Sequence, residues 1–484
     1  MAAALLRRSR AITNLVRTTA TVSLSDQFTA LQFHRYRRYR RSPAATGDFA
    51  GKPYGLCNEP PFASRRFESA AAGQPIVAET DEDDDGSDRQ GVEFPGGRVP
   101  FTPQMRFIPE SSNDRVPCYR VLDDDGYPIE GGLYEEVDKE IAVRMYRSMV
   151  TLQTMDTILY EAQRQGRISF YMTAGGEEAV NIGTAAALSS DDIVLPQYRE
   201  AGILLWRGYT LQEFANQCFG TKNDPGKGRQ MPIHYGSKDH NYITVSSPLT
   251  TQLPQAVGVA YSLKMDGKNA CAVAFVGDGA TSEGDFHAAL NFAAVMDAPV
   301  LFVCRNNGWA ISTPLSEQFR SDGVVVKGQA YGIPSIRVDG NDALAVHATV
   351  HAAREMVVRE QKPILIEAMT YRVGHHSTSD DSTKYRSPDE IEQWRTSRSP
   401  VTRFRKFVER NGWWSHDEET ELRASTRKQV LKAIQTADKM EKPSLEDLFT
   451  DVYDQVPENL QEQEKAVRDA VRRHPQEFPT DVPL

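Results

Sequence analysis

The chain has 484 residues, a formal net charge of −10, 40% apolar and 25% charged residues. That length holds two or three domains, and the acidic balance excludes a nucleic-acid binder overall. No run of about 20 apolar residues is present, which excludes a membrane-spanning helix, and five scattered cysteines without a C-x-x-C pair exclude a disulfide framework and a zinc site.

Residues 1–41 differ from the rest. Arg7, Arg8, Arg10, Arg17, Arg35, Arg37, Arg38, Arg40 and Arg41 face a single acid, Asp26, while Leu5, Leu6, Ile12, Leu15 and Val16 offer an apolar face. An Arg-rich, Ser/Thr-containing, acid-poor start describes an organellar transit peptide, and the arginine density favours the mitochondrion. The alternative is a basic nucleic-acid arm. Residues 42–95 are rich in Ala, Gly, Ser and Pro and carry the acidic block Asp81–Asp85, the composition of a disordered linker. Residues 96–135 are Pro- and Gly-rich, with turns at Asp125-Gly126 and Gly131-Gly132, and are expected to wrap over a surface without forming core.

A long helix follows. Val137, Ile141, Met145, Met149, Leu152, Met155 and Leu159 recur at helical spacing, and Gly166 is placed to end it. Tyr171–Ala187 reads as a glycine turn entering a small-residue helix, and residues 191–196 as a short strand with Tyr198 and Arg199 at its end, where a phosphate can be met; the plain alternative is two surface residues. Residues 220–242 are a Gly/Lys-rich loop. Ser246–Pro254 is dense in hydroxyls, an amide and backbone carbonyls, an inventory for a monovalent cation or a polar ring edge. It is equally a helix start with Pro254 in the first turn.

The most informative stretch comes next. The apolar run 270–276 leads into Gly277-Asp278-Gly279, and the run 299–304 into Arg305-Asn306-Asn307. Both are short and continuous, as in strands buried on both faces of a parallel sheet. Phe286, Leu290, Ala293 and Ala294 between them have helical spacing, with Ser282 and Asp285 as a capping box. In such a βαβ unit ligands bind beyond the strands' carboxyl ends. Asp278 and the Asn307 side-chain carbonyl are hard oxygen ligands suited to Mg²⁺, which keeps few protein ligands and completes its shell with phosphate oxygens and water. Gly277 and Gly279 let the backbone approach a phosphate, and Arg305 balances diphosphate charge. A lone G-D-G is only a turn; G-D-G followed by N-N after a second buried strand is the rarer pattern and resembles a thiamine-diphosphate fingerprint.

Residues 333–338 and 364–369 are further strands, with a crossover helix over 342–361. His375-His376 then lie in a Ser/Asp-rich loop. Imidazole is the natural proton carrier near neutral pH; the plain alternative is two solvated loop histidines. From Pro388 the chain is helical and charged, with Ile391/Trp394, Phe404/Phe407 and Val430/Ile434 as apolar pairs and Trp413-Trp414, Leu445, Leu448 and Phe449 as anchors.

From about Phe94 onward the chain resembles the alpha subunits of the branched-chain 2-oxoacid dehydrogenases, mitochondrial thiamine-diphosphate enzymes. The matching motifs are P-Q-Y-R-E (196–200), S-S-P-L-T-T-Q-L-P-Q-A-V-G (246–258), G-D-G-A-T-S-E-G-D (277–285), C-R-N-N-G-W-A-I-S-T-P (304–314) and G-H-H-S-T-S-D-D-S (374–382). The last is close to the branched-chain subgroup; the related pyruvate enzymes usually read H-G-H-S-M-S-D.

The resemblance implies a thiamine-diphosphate-binding α/β fold, a parallel sheet flanked by helices, over 136–387, with a helical region over 388–484. It implies thiamine diphosphate, Mg²⁺ and K⁺ as cofactors. Asp278, Asn307 and the main-chain carbonyl of Trp309 would hold Mg²⁺. Tyr198, Arg199, Gly279, Ala280 and Arg305 would meet the diphosphate or its surroundings. Ser247 and Leu249 would contact the thiamine rings, and Ser246, Pro248, Thr251 and Gln252 would hold K⁺. His376 would lie beside the reacting centre as the catalytic residue. Ser377 and Ser387 would be regulatory phosphorylation positions, with a kinase and a phosphatase as partners. Trp309 stands where the family often has tyrosine, which a backbone ligand tolerates, and Asp278 where some relatives carry glutamate. The expected reaction is oxidative decarboxylation of branched-chain 2-oxoacids with acyl transfer to a lipoyl-bearing acyltransferase core in the mitochondrial matrix. The acid against the pyrimidine ring comes from a separate beta subunit in this family, so an α₂β₂ heterotetramer is expected. The rival enzyme is a pyruvate dehydrogenase alpha subunit, against which the His-His pair and M-P-I-H-Y (231–235) argue. A non-catalytic scaffold subunit is the rival from another class, against which the intact Asp278, Arg305, Asn307 and His376 argue.

Overall fold

The computed structural model describes residues 91–94, 97–100, 105, 115–130 and 137–484. The expected transit peptide, the acidic block and the Gly131-Gly132 turn lie outside the described residues. The chain divides after Pro103. In the first unit, strands β1 (Gly91–Phe94) and β2 (Gly97–Pro100) form an antiparallel hairpin with Gly91 opposite Pro100.

The second unit, Gln104–Leu484, is built on a five-stranded parallel sheet. Its strands are β3 (Ile193–Leu195), β4 (Ala272–Gly277), β5 (Val300–Asn306), β8 (Ser335–Asp339) and β9 (Ile364–Met369), in the order β3-β4-β5-β9-β8. The two short strands β6 (Trp309–Ala310) and β7 (Thr313–Pro314) pair separately. The register places Gly277 beside Arg305 and Asn306 beside Met369. The carboxyl ends of β4, β5 and β9 therefore finish level, and the loops that follow them start side by side.

The continuous apolar runs of β4 and β5 have the expected cause: both faces of the sheet are covered. Val273, Phe275, Leu301 and Val303 face one core. It contains α1 (Lys139–Arg164), α2 (Glu178–Ala187), α3 (Ala201–Trp206) and α4 (Leu211–Phe219). Ala272, Ala274, Val276, Val300, Phe302 and Cys304 face the other, against α5 (Gln252–Met265) and α6 (Gly284–Val295). After the short helices α7 (Leu315–Gln318) and α8 (Val325–Ala330), the crossover helix α9 (Ala343–Glu360) leads to β9 and packs on α2. Cys271 and Cys304 are buried and free, as expected.

The charged C-terminal stretch forms α10 (Pro388–Thr396), α11 (Pro400–Arg410), α12 (His416–Asp438) and α13 (Glu458–Arg473). Ser387, Ser399 and Ser415 cap the first three with their side chains, and Pro follows two of these caps in the first turn. Helix α12 packs on α1 and α4. Of the apolar anchors, Trp414, Leu445 and Phe449 are buried, whereas Leu448 is exposed.

Two local expectations differ from the structure. Residues 119–122 do not merely wrap a surface: Tyr119 pairs with the edge of β8, and Val121 and Leu122 are core residues. Their amides donate to the buried Asp342 carboxylate, a capping group that a local composition count does not see. Ser282 and Asp285 form no capping box. Gly279–Ser282 is a 3-10 turn, and α6 starts after Glu283 without a side-chain cap.

Candidate active site

The loops after β3, β4, β5 and β9 enclose a cavity of about 260 Å³. Its wall includes Tyr198, Arg199, Leu249, Gly277, Asp278, Gly279, Ala280, Arg305, Asn307, Trp309 and His376. Segments far apart in sequence thus meet because their parent strands end level. The wall also includes Gln197, Ala310, Ile311 and Arg372, to which no role was assigned from sequence.

Two glycines bring these loops close. A Cβ on Gly279 would lie 2.3 Å from the Ala310 Cβ, so the G-D-G turn is pressed onto the segment after β5. Gly277 has no such neighbour. Gly176 has φ +92 and a Cβ there would lie 2.2 Å from the Tyr371 carbonyl oxygen. This contact lodges the turn before α2 against the loop after β9 and delivers Glu177 to the site.

Asp278 is buried, and burial raises its carboxyl pKa. Its Oδ2 accepts one side-chain bond, from Gln318 Nε2 at 3.0 Å. Asn307 donates Nδ2 to Glu177 Oε1 at 2.7 Å, which leaves Oδ1 as the free oxygen end of the amide apart from a 3.2 Å bond from the Trp309 amide. The Trp309 carbonyl receives only a 3.4 Å contact from Arg372. A buried carboxylate with an amide oxygen and a carbonyl nearby fits a hard divalent cation. Among the described residues no group of three or more His, Cys, Asp or Glu side chains forms a metal cluster.

Arg305, expected to meet the diphosphate or its surroundings, lies on the cavity wall and is also paired within the fold. It is the last-but-one residue of β5, fully buried, and its guanidinium bonds Glu200, Glu177 and Gln197. Burial alone would lower its pKa, but the two carboxylates, Glu177 first, reverse that and raise it. Its charge is already matched, so its contribution is to lock the loops after β3 and before α2 to β5. Glu177, Glu200 and Gln197 are the partners missed from sequence; no local signal marks them, because their pairing with Arg305 joins segments more than 100 residues apart.

Arg199, unlike Arg305, has no carboxylate partner among its side-chain hydrogen bonds. It is buried, its Nη2 donates to the His376 carbonyl at 2.6 Å, and its Nη1 is buried without a partner. Arg372 donates to the Ile311 carbonyl at 2.9 Å and to Tyr385 Oη at 3.0 Å. Both guanidiniums face His376 Nδ1, at 3.4 and 3.3 Å. Guanidinium groups only donate, so Nδ1 is an acceptor and the imidazole proton sits on Nε2. Burial, then Arg199 and Arg372, push the His376 pKa down to about 3. The expectation of a residue that charges near neutral pH is therefore replaced: His376 is a neutral donor through Nε2. His375 lies off the cavity and pairs with Ser382.

Ser247 is not on the cavity wall. It is exposed, and its Oγ meets His234 Nε2 at 2.5 Å. Ser246 Oγ, Thr251 Oγ1 and the Pro248 carbonyl lie within 3.0 Å along a chain of contacts. Gln252 donates Nε2 to the Phe275 carbonyl, and its Oε1 is buried without a partner. The helix does start at Gln252 with Pro254 in its first turn, although Thr251 makes no side-chain cap bond; neutral oxygens of this kind are also a donor set that fits a weakly hydrated monovalent cation. Ser377 is half-buried and accepts from the Ser379 amide at 3.2 Å, whereas Ser387 is the exposed N-cap of α10.

The profile of the Dehydrogenase E1 component family matches residues 146–446. The chain is 66% identical over 422 residues to the mitochondrial 2-oxoisovalerate dehydrogenase subunit alpha 1 of Arabidopsis thaliana, covering 87% of this chain and 89% of that protein. It is 48% identical over 389 residues to the mitochondrial 2-oxoisovalerate dehydrogenase alpha subunit of Mus musculus, covering 80% of this chain and 88% of that protein. The Homo sapiens alpha subunit is 48% identical over 389 residues, covering 80% and 87%.

Proposed function

The chain belongs to the dehydrogenase E1 component family, and we propose that it is the alpha subunit of a branched-chain 2-oxoacid dehydrogenase of the mitochondrial matrix. The reaction is the oxidative decarboxylation of branched-chain 2-oxoacids, followed by transfer of the acyl group to a lipoyl carrier. The observation that carries this reading is the meeting of Asp278, Asn307, Arg199 and His376 on one cavity wall. The names of relatives at 48–66% identity favour the branched-chain enzyme over the pyruvate one.

The family's cofactor, thiamine diphosphate, supplies the electron sink for decarboxylation when bound. The chain's own residues bind and orient it. Asp278, Asn307 and the Trp309 carbonyl would hold Mg²⁺ against the diphosphate, and the unpartnered Arg199 Nη1 would take a phosphate oxygen. Tyr198, Gly277, Gly279 and Ala280 line the same end, and Arg305 stiffens it. Leu249, 44% exposed on the wall, and Ser247 would meet the rings. Ser246, Pro248, Thr251 and Gln252 would hold K⁺ and thereby fix the Ser247–Leu249 segment. His376 would present its Nε2–H to the reacting centre as a neutral hydrogen-bond donor.

The exposed Leu249 and Ser247 mark the side to be closed by a beta subunit, giving α₂β₂, with a lipoyl-bearing acyltransferase core as the next partner. Residues 1–41 would be the transit peptide, 42–95 a linker, 96–135 an N-terminal extension, 136–387 the cofactor domain and 388–484 the helical region. Ser377 and Ser387 would be targets of a kinase and a phosphatase. Among the described residues no helix is long and apolar enough to cross a membrane.

The test is decarboxylation of 3-methyl-2-oxobutanoate and of pyruvate by the chain from about residue 90, alone and co-expressed with a beta subunit. Activity that needs thiamine diphosphate, Mg²⁺ and the second chain, and prefers the branched acid, is expected. Preference for pyruvate would move the protein to the sister enzyme, and a well-folded pair without activity would favour a scaffold role.

A further inference from the structure

We propose that the cavity between α1 and the C-terminal helices is a binding site for a zwitterionic α-amino acid with an alkyl side chain. It encloses about 460 Å³, within the roughly 300–1,000 Å³ of small-molecule sites. It shares no wall residue with the cofactor cavity.

The floor is acidic. Asp156 on α1 and Glu178 at the start of α2 are buried and line the cavity. Asp156 accepts from Tyr171 Oη at 2.8 Å and from the Ala174 amide at 2.6 Å, and Glu178 accepts from the Gly176 amide at 2.9 Å. Among the described residues neither carboxyl pairs with a lysine, arginine or histidine. Burial pushes Asp156 up to about 7 and Glu178 up to about 8. The charge of Arg199 opposes this at Asp156, whereas Asp156 and Glu177 add to it at Glu178. A buried carboxyl that holds its proton for want of a counter-charge is one that an incoming ammonium group ionises and pairs with.

The mouth is basic. Arg395 on α10 and Arg423 and Arg427 on α12 line it. Arg395 bonds the exposed Glu392 through Nη1 at 3.0 Å. Arg423 gives Nε to Glu419 and Nη1 to Gln153, which leaves Nη2. Arg427 is exposed and makes no ion pair among the described residues. Guanidinium nitrogens left over in this way suit the two oxygens of a carboxylate.

Between floor and mouth the wall carries Ile158, Val373 and Pro400, so the body that joins the two charges is alkyl. A dicarboxylate would set an anion against the floor, and an amine alone would leave the arginines unmatched. The Val373 amide donates to the Gly175 carbonyl at 3.0 Å. A ligand here therefore clasps the turn before α2 to the stem of the His376 loop.

The test is isothermal titration calorimetry of the heterotetramer, loaded with thiamine diphosphate and Mg²⁺, against three probes. L-leucine carries both charges, 4-methylpentanoate lacks the amino group and 3-methylbutylamine lacks the carboxylate. Leucine is expected to bind at least about tenfold tighter than either truncated probe, the scale of one hydrogen bond to a charged group. In buffers of different ionisation enthalpy its binding should release up to about one proton at pH 7. Glu178→Gln should weaken leucine about tenfold and reduce the proton release. Arg395→Gln combined with Arg427→Gln should weaken it about tenfold with the proton release unchanged. Both arginines are exposed, so the double variant is expected to melt as wild type does. No leucine binding up to about 10 mM overturns the site, as does a truncated probe as tight as leucine, binding without proton release, or full leucine affinity in the double variant.

Discussion

Glu177 Oε1 accepts from Asn307 Nδ2 at 2.7 Å, and the same carboxylate holds Arg305 through its other oxygen. One buried acid thereby decides which end of the Asn307 amide faces Asp278. The carboxylate cannot donate, so it must take the NH₂ end and leave the oxygen for a cation.

Replacing Glu177 by Gln removes this certainty, since an amide can satisfy either end of Asn307, and it takes one counter-charge from Arg305. Outer partners of metal ligands typically contribute about 10–100-fold in affinity. Glu177→Gln is expected to weaken Mg²⁺ by that factor in a titration of cofactor binding. An Mg²⁺ dependence equal to wild type would contradict the arrangement.

Gly279→Ala places a Cβ 2.3 Å from the Ala310 Cβ. Overpacking of this kind costs about 1–3 kcal/mol. The expected result is a lower melting temperature together with weaker thiamine diphosphate binding, both recovered by adding Ala310→Gly. A single variant as stable and as tight-binding as wild type would show that the two loops are not in contact.

Glu178 is fully buried, and burial pushes its pKa from 4.5 up to about 8. The folded state keeps this carboxyl protonated while the unfolded chain ionises it. Its stabilising effect is therefore complete below 4.5 and is lost progressively as pH rises to about 8. The melting temperature of Glu178→Gln should fall less than that of wild type across this window. His376 has the opposite sign: its depressed pKa makes the fold lose stability as pH falls from 6.5 towards about 3. The pH–rate profile above 6.5 should accordingly keep its shape in His376→Asn, with only its height reduced.

Gln252 Oε1 is buried without a partner while its Nε2 is held by the Phe275 carbonyl. A cation bound only by the folded state at a hundredfold excess over Kd adds about 2.7 kcal/mol. Adding K⁺ should raise the melting temperature of wild type and leave that of Gln252→Leu nearly unmoved. Equal responses would remove K⁺ from this cluster.

Ser377 follows His376, whose amide is held by Asp380 at 2.8 Å. A phosphate there adds about −1.5 to −2 charges beside Arg199 and Arg372. Ser377→Glu should lower turnover by at least about tenfold, or about 1.4 kcal/mol, and Ser377→Ala should not. Unchanged activity and lipoyl transfer in Ser377→Glu would separate this loop from regulation.

Much of the molecule is legible along the chain. The runs into Gly277 and Arg305 are strands because nothing but a two-sided core accepts such continuous apolar segments, and β9 occupies the predicted residues 364–369. Asp278 and Asn307 stand out along the chain as hard oxygen ligands at strand ends, whereas Arg199 and His376, taken alone, read equally as surface residues and drew their roles from the resemblance. Local signals failed where a distant partner overrides them. Val121 and Leu122 look like loop residues until Asp342 satisfies their amides. Ser282 and Asp285 look like a cap until the 3-10 turn at Gly279 moves the helix start.

By itself, the sequence determined the element types, the order of the βαβ units and the inventory of groups at their ends, since periodicity and spacing are properties of one stretch at a time. The tertiary structure decided the protonation and pairing of those groups. Arg305 was spent on Glu177 and Glu200, Arg199 kept a free nitrogen, and His376 became neutral between two guanidiniums. Charge and hydrogen-bond polarity at a buried atom depend on what lies within a few ångströms in space, and residues from Glu177 to His376 reach that distance only when the strands end level.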